Sequence, residues 1–189
     1  GIYKEGNRIG DWEFFYASGQ LEQKGKYDKK GKMQGTWKWY YESGKLWREE
    51  YYMNGKRENE MVDYDEEGKI ILRGNYVENR KEGKWIYETP DYMEFGNYVN
   101  DEPDSLWKSY YMPGKRKFFE GRFLAGVPEG IHYAYHPNGA RKYVGGYVGG
   151  YLRGGKRTIT SVVHRQIVTL DIDFAHINLW DDFCLSFDN

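Results

Sequence analysis

Gly35 to Tyr52 reads GTWKWYYESGKLWREEYY. A Gly-x-Trp opening leads into a run of aromatics, a Ser-Gly turn, a second polar and aromatic run, and a closing Tyr. The same order of features runs upstream from Gly10-Asp-Trp12 to Gly25-Lys-Tyr27, and recurs several times downstream. Self-similarity at a fixed period marks a repeat array, and the period governs every other reading of the chain.

Two independent markers fix the register. The opening position holds Gly10, Gly35, Asn59, Gly83, Ser105, Gly130 and Gly154, in steps of 25, 24, 24, 22, 25 and 24 residues. The closing aromatic is Tyr3, Tyr27, Tyr52, Tyr76, Tyr98, Phe123 and Tyr147, in steps of 24, 25, 24, 22, 25 and 24. Both markers shorten in the same unit. Mid-unit turns fall at Gly19, Gly44, Gly68, Gly114 and Gly139, with Thr89-Pro90-Asp91 in the short unit. A second turn follows each closing aromatic, as in Tyr52-Met-Asn-Gly55 and Tyr147-Val-Gly-Gly150. Gly, Asn and Asp tolerate the positive φ of tight hairpins. Two turns per unit leave two strands of about six or seven residues.

In the first strand, Trp12, Phe14 and Tyr16 alternate onto one face, as do Trp37, Trp39 and Tyr41, Trp85 and Tyr87, and Trp107 and Tyr111. The other face carries Glu13, Lys38 and Lys108, interrupted near the turn by Phe15, Tyr40, Tyr110 and Tyr135. These four are the candidate partner-binding residues. In the second strand, alternation places Leu21, Leu46 and Ile70 on the face of the closing Tyr. A small position lies between, at Gly25, Gly74, Gly96, Gly121 and Gly145, with Glu50 in the second unit. Opposite a Trp, such a site would let the ring lie flat on the backbone. Met61 and Ile131-His132 stand where the third and sixth units should have Trp, so fraying is expected near residues 59–64.

Aromatics make up 19% of the 189 residues and the whole hydrophobic fraction is only 39%, which is thin for a single core. Repeats that cover only their neighbours avoid that difficulty. The expected fold is therefore all-β: an elongated antiparallel sheet of tandem hairpins of about 24 residues, with a C-terminal β cap. Residues 1–156 form the array. Gly1-Ile-Tyr3 aligns with Gly25-Lys-Tyr27, so residues 1–9 read as the tail of a truncated unit with something removed before it. Residues 157–189 read as a capping or partner-pairing segment. Within them Val168, Leu170, Ile172 and Phe174 alternate with polar residues, and Phe183-Cys-Leu185-Ser-Phe187 alternates again.

Gly10-Asp-Trp12-Glu-Phe-Phe-Tyr16-Ala-Ser-Gly19, Gly35-Thr-Trp37-Lys-Trp-Tyr-Tyr41-Glu-Ser-Gly44 and Gly83-Lys-Trp85-Ile-Tyr87 resemble the MORN-variant repeat. That repeat occurs in bacterial proteins described as YwqK-type antitoxins and in many envelope or secreted proteins. The resemblance covers residues 1 to about 156. It implies hairpins laid side by side into a twisted sheet that acts as a scaffold or binding surface, in the envelope or outside the cell rather than in the cytoplasm.

Residues with chemical potential are better explained by the repeat. His132 and His136 lack a third ligand and read as replacements for Trp and Tyr, so no metal is expected. His164, His176, Asp171, Asp173, Asp181 and Asp182 could be drawn together on paper, but strand alternation accounts for the acids more simply. The lone Cys184 excludes an intrachain disulfide and has no recognisable His or Asn partner. Glu13, Glu22, Glu49 and Glu50 recur with the repeat and read as cross-strand ion pairs. Gly145-Gly-Tyr-Val-Gly-Gly150 lacks the Lys-Ser/Thr and the helix of a phosphate loop. No catalytic residue and no cofactor are expected.

Lys plus Arg number 28 against 29 for Asp plus Glu, interleaved and not striped, which argues against nucleic acid. No apolar run approaches the length of a membrane span. The sequence thus points to a non-enzymatic scaffold for protein–protein interaction, antitoxin-like or within an envelope complex. A glycan- or cell-wall-binding module, resembling choline- or glucan-binding hairpins, is the alternative, and a lipid-binding module stands behind it.

Overall fold

The computed structural model describes residues 1–163 and 166–173, with side chains as far as residue 156. Among the described residues every regular element is a strand. They are β1 (Ile2–Lys4), β2 (Asn7–Phe15), β3 (Leu21–Tyr27), β4 (Met33–Tyr40), β5 (Leu46–Met53), β6 (Lys56–Tyr64), β7 (Ile70–Val77), β8 (Arg80–Glu88) and β9 (Tyr92–Val99), followed by β10 (Glu102–Tyr111), β11 (Arg116–Leu124), β12 (Val127–Tyr135), β13 (Arg141–Val148), β14 (Tyr151–Val163) and β15 (Gln166–Asp173). The chain is all-β and built of tandem antiparallel hairpins.

Two compact units are present. The first contains residues 1–89 and 97–102; the second contains 90–96 and the described chain from 103 onward. In the first unit β1 to β8 pair antiparallel in chain order. In the second unit β10 to β15 do the same. The last pairing, β14 with β15, runs without a break from Lys156 opposite Asp173 to Val163 opposite Gln166.

The opening position has a backbone reason for its residue type. Gly10, Gly35, Asn59, Gly83, Ser105 and Gly130 all adopt φ between 61 and 72°. Gly35, Asn59, Gly83 and Gly130 each lie where the ladder to the preceding strand slips, a recurring glycine-type bulge. Gly154 keeps the spacing but not the positive φ, and the ladder there slips at Arg153 instead. The second turns show two consecutive positive-φ residues, such as Asn54-Gly55, Glu78-Asn79, Asn100-Asp101 and Gly149-Gly150. That is the two-residue turn whose twist matches paired strands.

Register confirms that the Trp position faces the small position, as in Trp12 opposite Gly25 and Trp107 opposite Gly121. The ring that covers each glycine nevertheless comes from the following strand. Trp12 lies over Gly1, Trp37 over Gly25, Trp85 over Gly74 and Trp107 over Gly96, each so close that a Cβ would fall within the indole. At each of these steps one hairpin interlocks with the next. Closing tyrosines meet these indoles edge-on, Tyr27 on Trp37 at 5.0 Å and Tyr76 on Trp85 at 5.2 Å between ring centres. Such pairs add about 0.5–1.5 kcal/mol beyond burial.

Two expectations need correction. Leu21, Leu46 and Ile70 pair with Phe15, Tyr40 and Tyr64, on the face away from the Trp. A second bulge, at Glu22, Trp47 and Ile71, inserts one residue and reverses the alternation counted from the closing Tyr. The stretch expected to fray is packed instead. Met61, Val62 and Asp63 are buried, and Met61 joins Tyr76 and Trp85 in a core cluster.

Candidate interaction faces

One face of each unit is filled by the interlocked rings. Trp37, Trp85 and Trp107 are at most 5% exposed. Trp12 Nε1 donates to the Ile9 carbonyl and Trp37 Nε1 to that of Lys26, whereas Trp85 Nε1 is buried without a hydrogen-bond partner. In the first unit cations lie over this face. Arg8 sits over Trp12 and Phe14, Arg57 over Tyr76 at 4.0 Å, and Lys81 over Trp85 and Tyr98 at 4.7 Å each. These three share one repeat position, two residues before the opening residue, which the sequence reading passed over. The second unit has Pro103 and Pro128 there.

Where Trp is absent the face is rebuilt. Beside Met61, the small position is Glu50, only 5% exposed. Its carboxylate accepts from the Tyr52 hydroxyl and lies 3.6 Å from Arg48. Arg48 grips the buried Asp63 with two bonds, Nε to Oδ1 at 2.5 Å and Nη2 to Oδ2 at 2.7 Å. The fork geometry suits a paired carboxylate. Hydrogen bonding to Asp63 raises the Arg48 pKa, and burial, followed by the Glu50 bond, raises that of Tyr52. In the second unit His132 takes the Trp place directly. Its ring lies on Gly121 between Phe119, Phe123 and Tyr147, and Nε2 bonds the Arg122 carbonyl at 2.7 Å.

The opposite face is mixed, as its sequence alternation suggests. Lys38 pairs with Glu49 at 2.5 Å, and the Tyr64 hydroxyl donates to the same carboxylate. Glu13 stands opposite Lys24. Of the candidate partner-binding residues, Phe15 is 57% exposed, and Tyr40, Tyr110 and Tyr135 are half-buried. Lys24 lies over Tyr40, Phe95 stacks on Tyr110, and Tyr133 stacks on Tyr135. The four occupy one repeat position in separate hairpins.

A second exposed series was not singled out from the sequence. Lys4 and Asp28 follow the first two closing aromatics, but from Tyr52 onward the next residue is Met53, Val77 and Val99 in the first unit, and Leu124 and Val148 in the second. All five are apolar, and all are between 43 and 64% exposed. In the second unit their cross-strand partners Val127 and Tyr151 are exposed as well. The signal was present as an apolar residue in each second turn from Tyr52 onward, where a polar one, as at Lys4 and Asp28, would serve the turn equally well.

Hydrogen bonds tie successive repeats at both ends. Tyr16, Tyr41 and Tyr111 donate their hydroxyls to the carbonyls of Tyr40, Tyr64 and Tyr135 in the next hairpin. At the other end an acceptor just before the opening residue caps the next tight turn. Gln34 accepts from Asn54 N–H, Glu58 from Glu78, Glu82 from Asn100 and Glu129 from Gly149.

Among the described residues no three His, Cys, Asp or Glu side chains are grouped to hold a metal. His132 and His136 are each held among their own neighbours, and His136 Nε2 is buried without a hydrogen-bond partner. His164, His176, Asp181, Asp182, Cys184 and the alternation at 183–187 lie outside the described residues; for Asp171 and Asp173 only the backbone is described. No described helix is long and apolar enough to cross a membrane.

Comparison with known families gives two matches. The VapE N-terminal domain model matches residues 134–189, from the end of β12 onward. The MORN repeat variant model matches residues 8–29 and 33–54. No match is found among curated proteins. The second pair of segments coincides with hairpins β2–β3 and β4–β5, whose period and bulges the later hairpins keep. Residues 8–29 and 33–54 are MORN-variant repeats.

Proposed function

We propose that this chain is a non-enzymatic scaffold that binds a protein partner, either as an antitoxin-like protein or as a component of an envelope complex. The observation that carries this reading is the exposed apolar series Met53, Val77, Val99, Leu124 and Val148, recurring at the repeat spacing. Apolar residues held exposed by a regular backbone suit a protein interface, with Phe15, Tyr40, Tyr110 and Tyr135 adding aromatic area. The buried Trp37, Trp85 and Trp107 weigh against the sugar-platform alternative, which needs open indoles; among the described residues Trp47, 36% exposed beneath Arg48, is the nearest to one.

The test starts from a partner captured from native cells, purified and bound again in isolation. Val77→Asp and Leu124→Asp should weaken binding at least about tenfold, the effect expected when an interface anchor is lost. Acrylamide should quench most of the Trp fluorescence weakly. Undiminished binding by both variants, or saturable fluorescence shifts with choline or glucans, would overturn the proposal.

A further inference from the structure

His132 is 4% exposed and fills a space that the rest of the array gives to an indole. From β11 it meets Gly121, Phe119 and Phe123. Register and alternation put Lys117, Glu120 and Arg122 of that strand on the other face, where Lys117 and Glu120 pair with each other. From β13 it meets Tyr147, whose hydroxyl is bonded to that of Tyr143, and Gly145 stands opposite it. Arg141 lies over Tyr133 on the other face, and Lys142 is exposed at a break in the ladder. On β12 itself Gly130 and Ala134 share its side, and His136 ends the row. Glu129 contributes its backbone to the ring, while its carboxylate is committed to the Gly149 N–H. Among the described residues no carboxylate faces the imidazole, and three aromatic rings surround it.

We propose that His132 is an acid-sensitive latch: protonation of its buried ring opens the β11–β13 part of the second unit. An imidazolium in this cage would lose its hydration and gain only backbone carbonyls in return. Burial is also the leading cause of the lowered pKa of this group. The sign follows directly. Below about pH 6.5 the unfolded ring takes up a proton that the folded site resists. Stability is therefore full above that pH and falls as pH drops toward the lowered folded value. The strands affected carry Leu124, Val127 and Val148, so acid would also disturb their exposed series; the latch itself does not depend on what binds there.

Hydrogen exchange on the whole chain tests this, with rates corrected for intrinsic pH dependence. Between pH 7.5 and 5.0 the wild-type segments 117–135 and 141–148 should lose protection. Segment 33–54 should hold. His132→Trp should abolish the loss, and His136→Tyr should leave it as in wild type. If His132→Trp does not fold, the wild-type imidazole resonances decide, with His132 titrating at a midpoint below 6.5. Equal loss in His132→Trp, no loss in wild type, or a His132 midpoint at or above 6.5 would overturn the proposal.

Discussion

The third and sixth repeats both lack the tryptophan of their neighbours, and they manage without it in opposite ways. In the sixth, His132 remains a flat ring, and Gly121 beneath it remains glycine. In the third, Met61 is not flat, and the position beneath it is Glu50, buried and tied to Tyr52 and Arg48. A planar ring on the backbone demands a residue without a side chain. Once the ring is gone the demand lapses, and a larger side chain fills the gap. The glycine and the ring of the next strand thus behave as one element of the repeat.

The two units also differ over the aromatic face. Arg8, Arg57 and Lys81 cover it in the first, whereas Pro103 and Pro128 hold the corresponding positions in the second. A desolvated cation over a ring contributes up to about 2 kcal/mol. Proline offers no such contact, but it fixes the backbone before the bulge residue.

Substitutions can break this comparison, and the largest effect is expected at the ring-bearing glycines. Gly74→Val drives a side chain into Trp85 and should cost at least about 3 kcal/mol, the scale of losing a buried aromatic. Lys84→Val, on the exposed side of the next strand, should stay within about 0.5 kcal/mol. Equal melting temperatures for the two would undo the interlocking account. Next in size is Arg48→Met, which leaves Asp63 buried and unpaired. Its cost should approach about 3 kcal/mol at pH 7 by chemical denaturation, as for other broken buried pairs, and Asp63→Leu in the same background should recover part of it. Smallest are the ties between repeats. Tyr41→Phe and Glu58→Ala should each cost about 0.5–1.5 kcal/mol, one hydrogen bond apiece, and raise exchange mainly at Tyr64 and Glu78.

Period, fold class and the aromatic face were legible because they depend on residue type at fixed spacing. Gly35 and Trp37 announce themselves. The strand order of the interlock was not, because Trp12 and Trp37 are equally near Gly25 in the repeat pattern, and only the backbone slip at Gly35 brings the later ring over it. Bulges also explain Leu21, Leu46 and Ile70, since one inserted residue reverses all the alternation that follows. The turn caps Gln34, Glu58, Glu82 and Glu129 looked like ordinary surface residues; their column shows only when the repeats are aligned on the bulge. Packing at Met61 was hidden because its compensation, Glu50 with Arg48 and Asp63, is a tertiary arrangement of charges that sequence order does not reveal.

The coupling of ring and glycine is tested most directly by a double-mutant cycle at Met61 and Glu50. Met61→Trp alone should destabilise, because the indole meets Glu50, and Glu50→Gly alone should also destabilise, because it empties the space beside Met61. Together they should restore the arrangement seen at Trp37 on Gly25, giving a favourable interaction energy of about 1–3 kcal/mol, within the range for contacting residues. Simple additivity of the two losses would contradict the account.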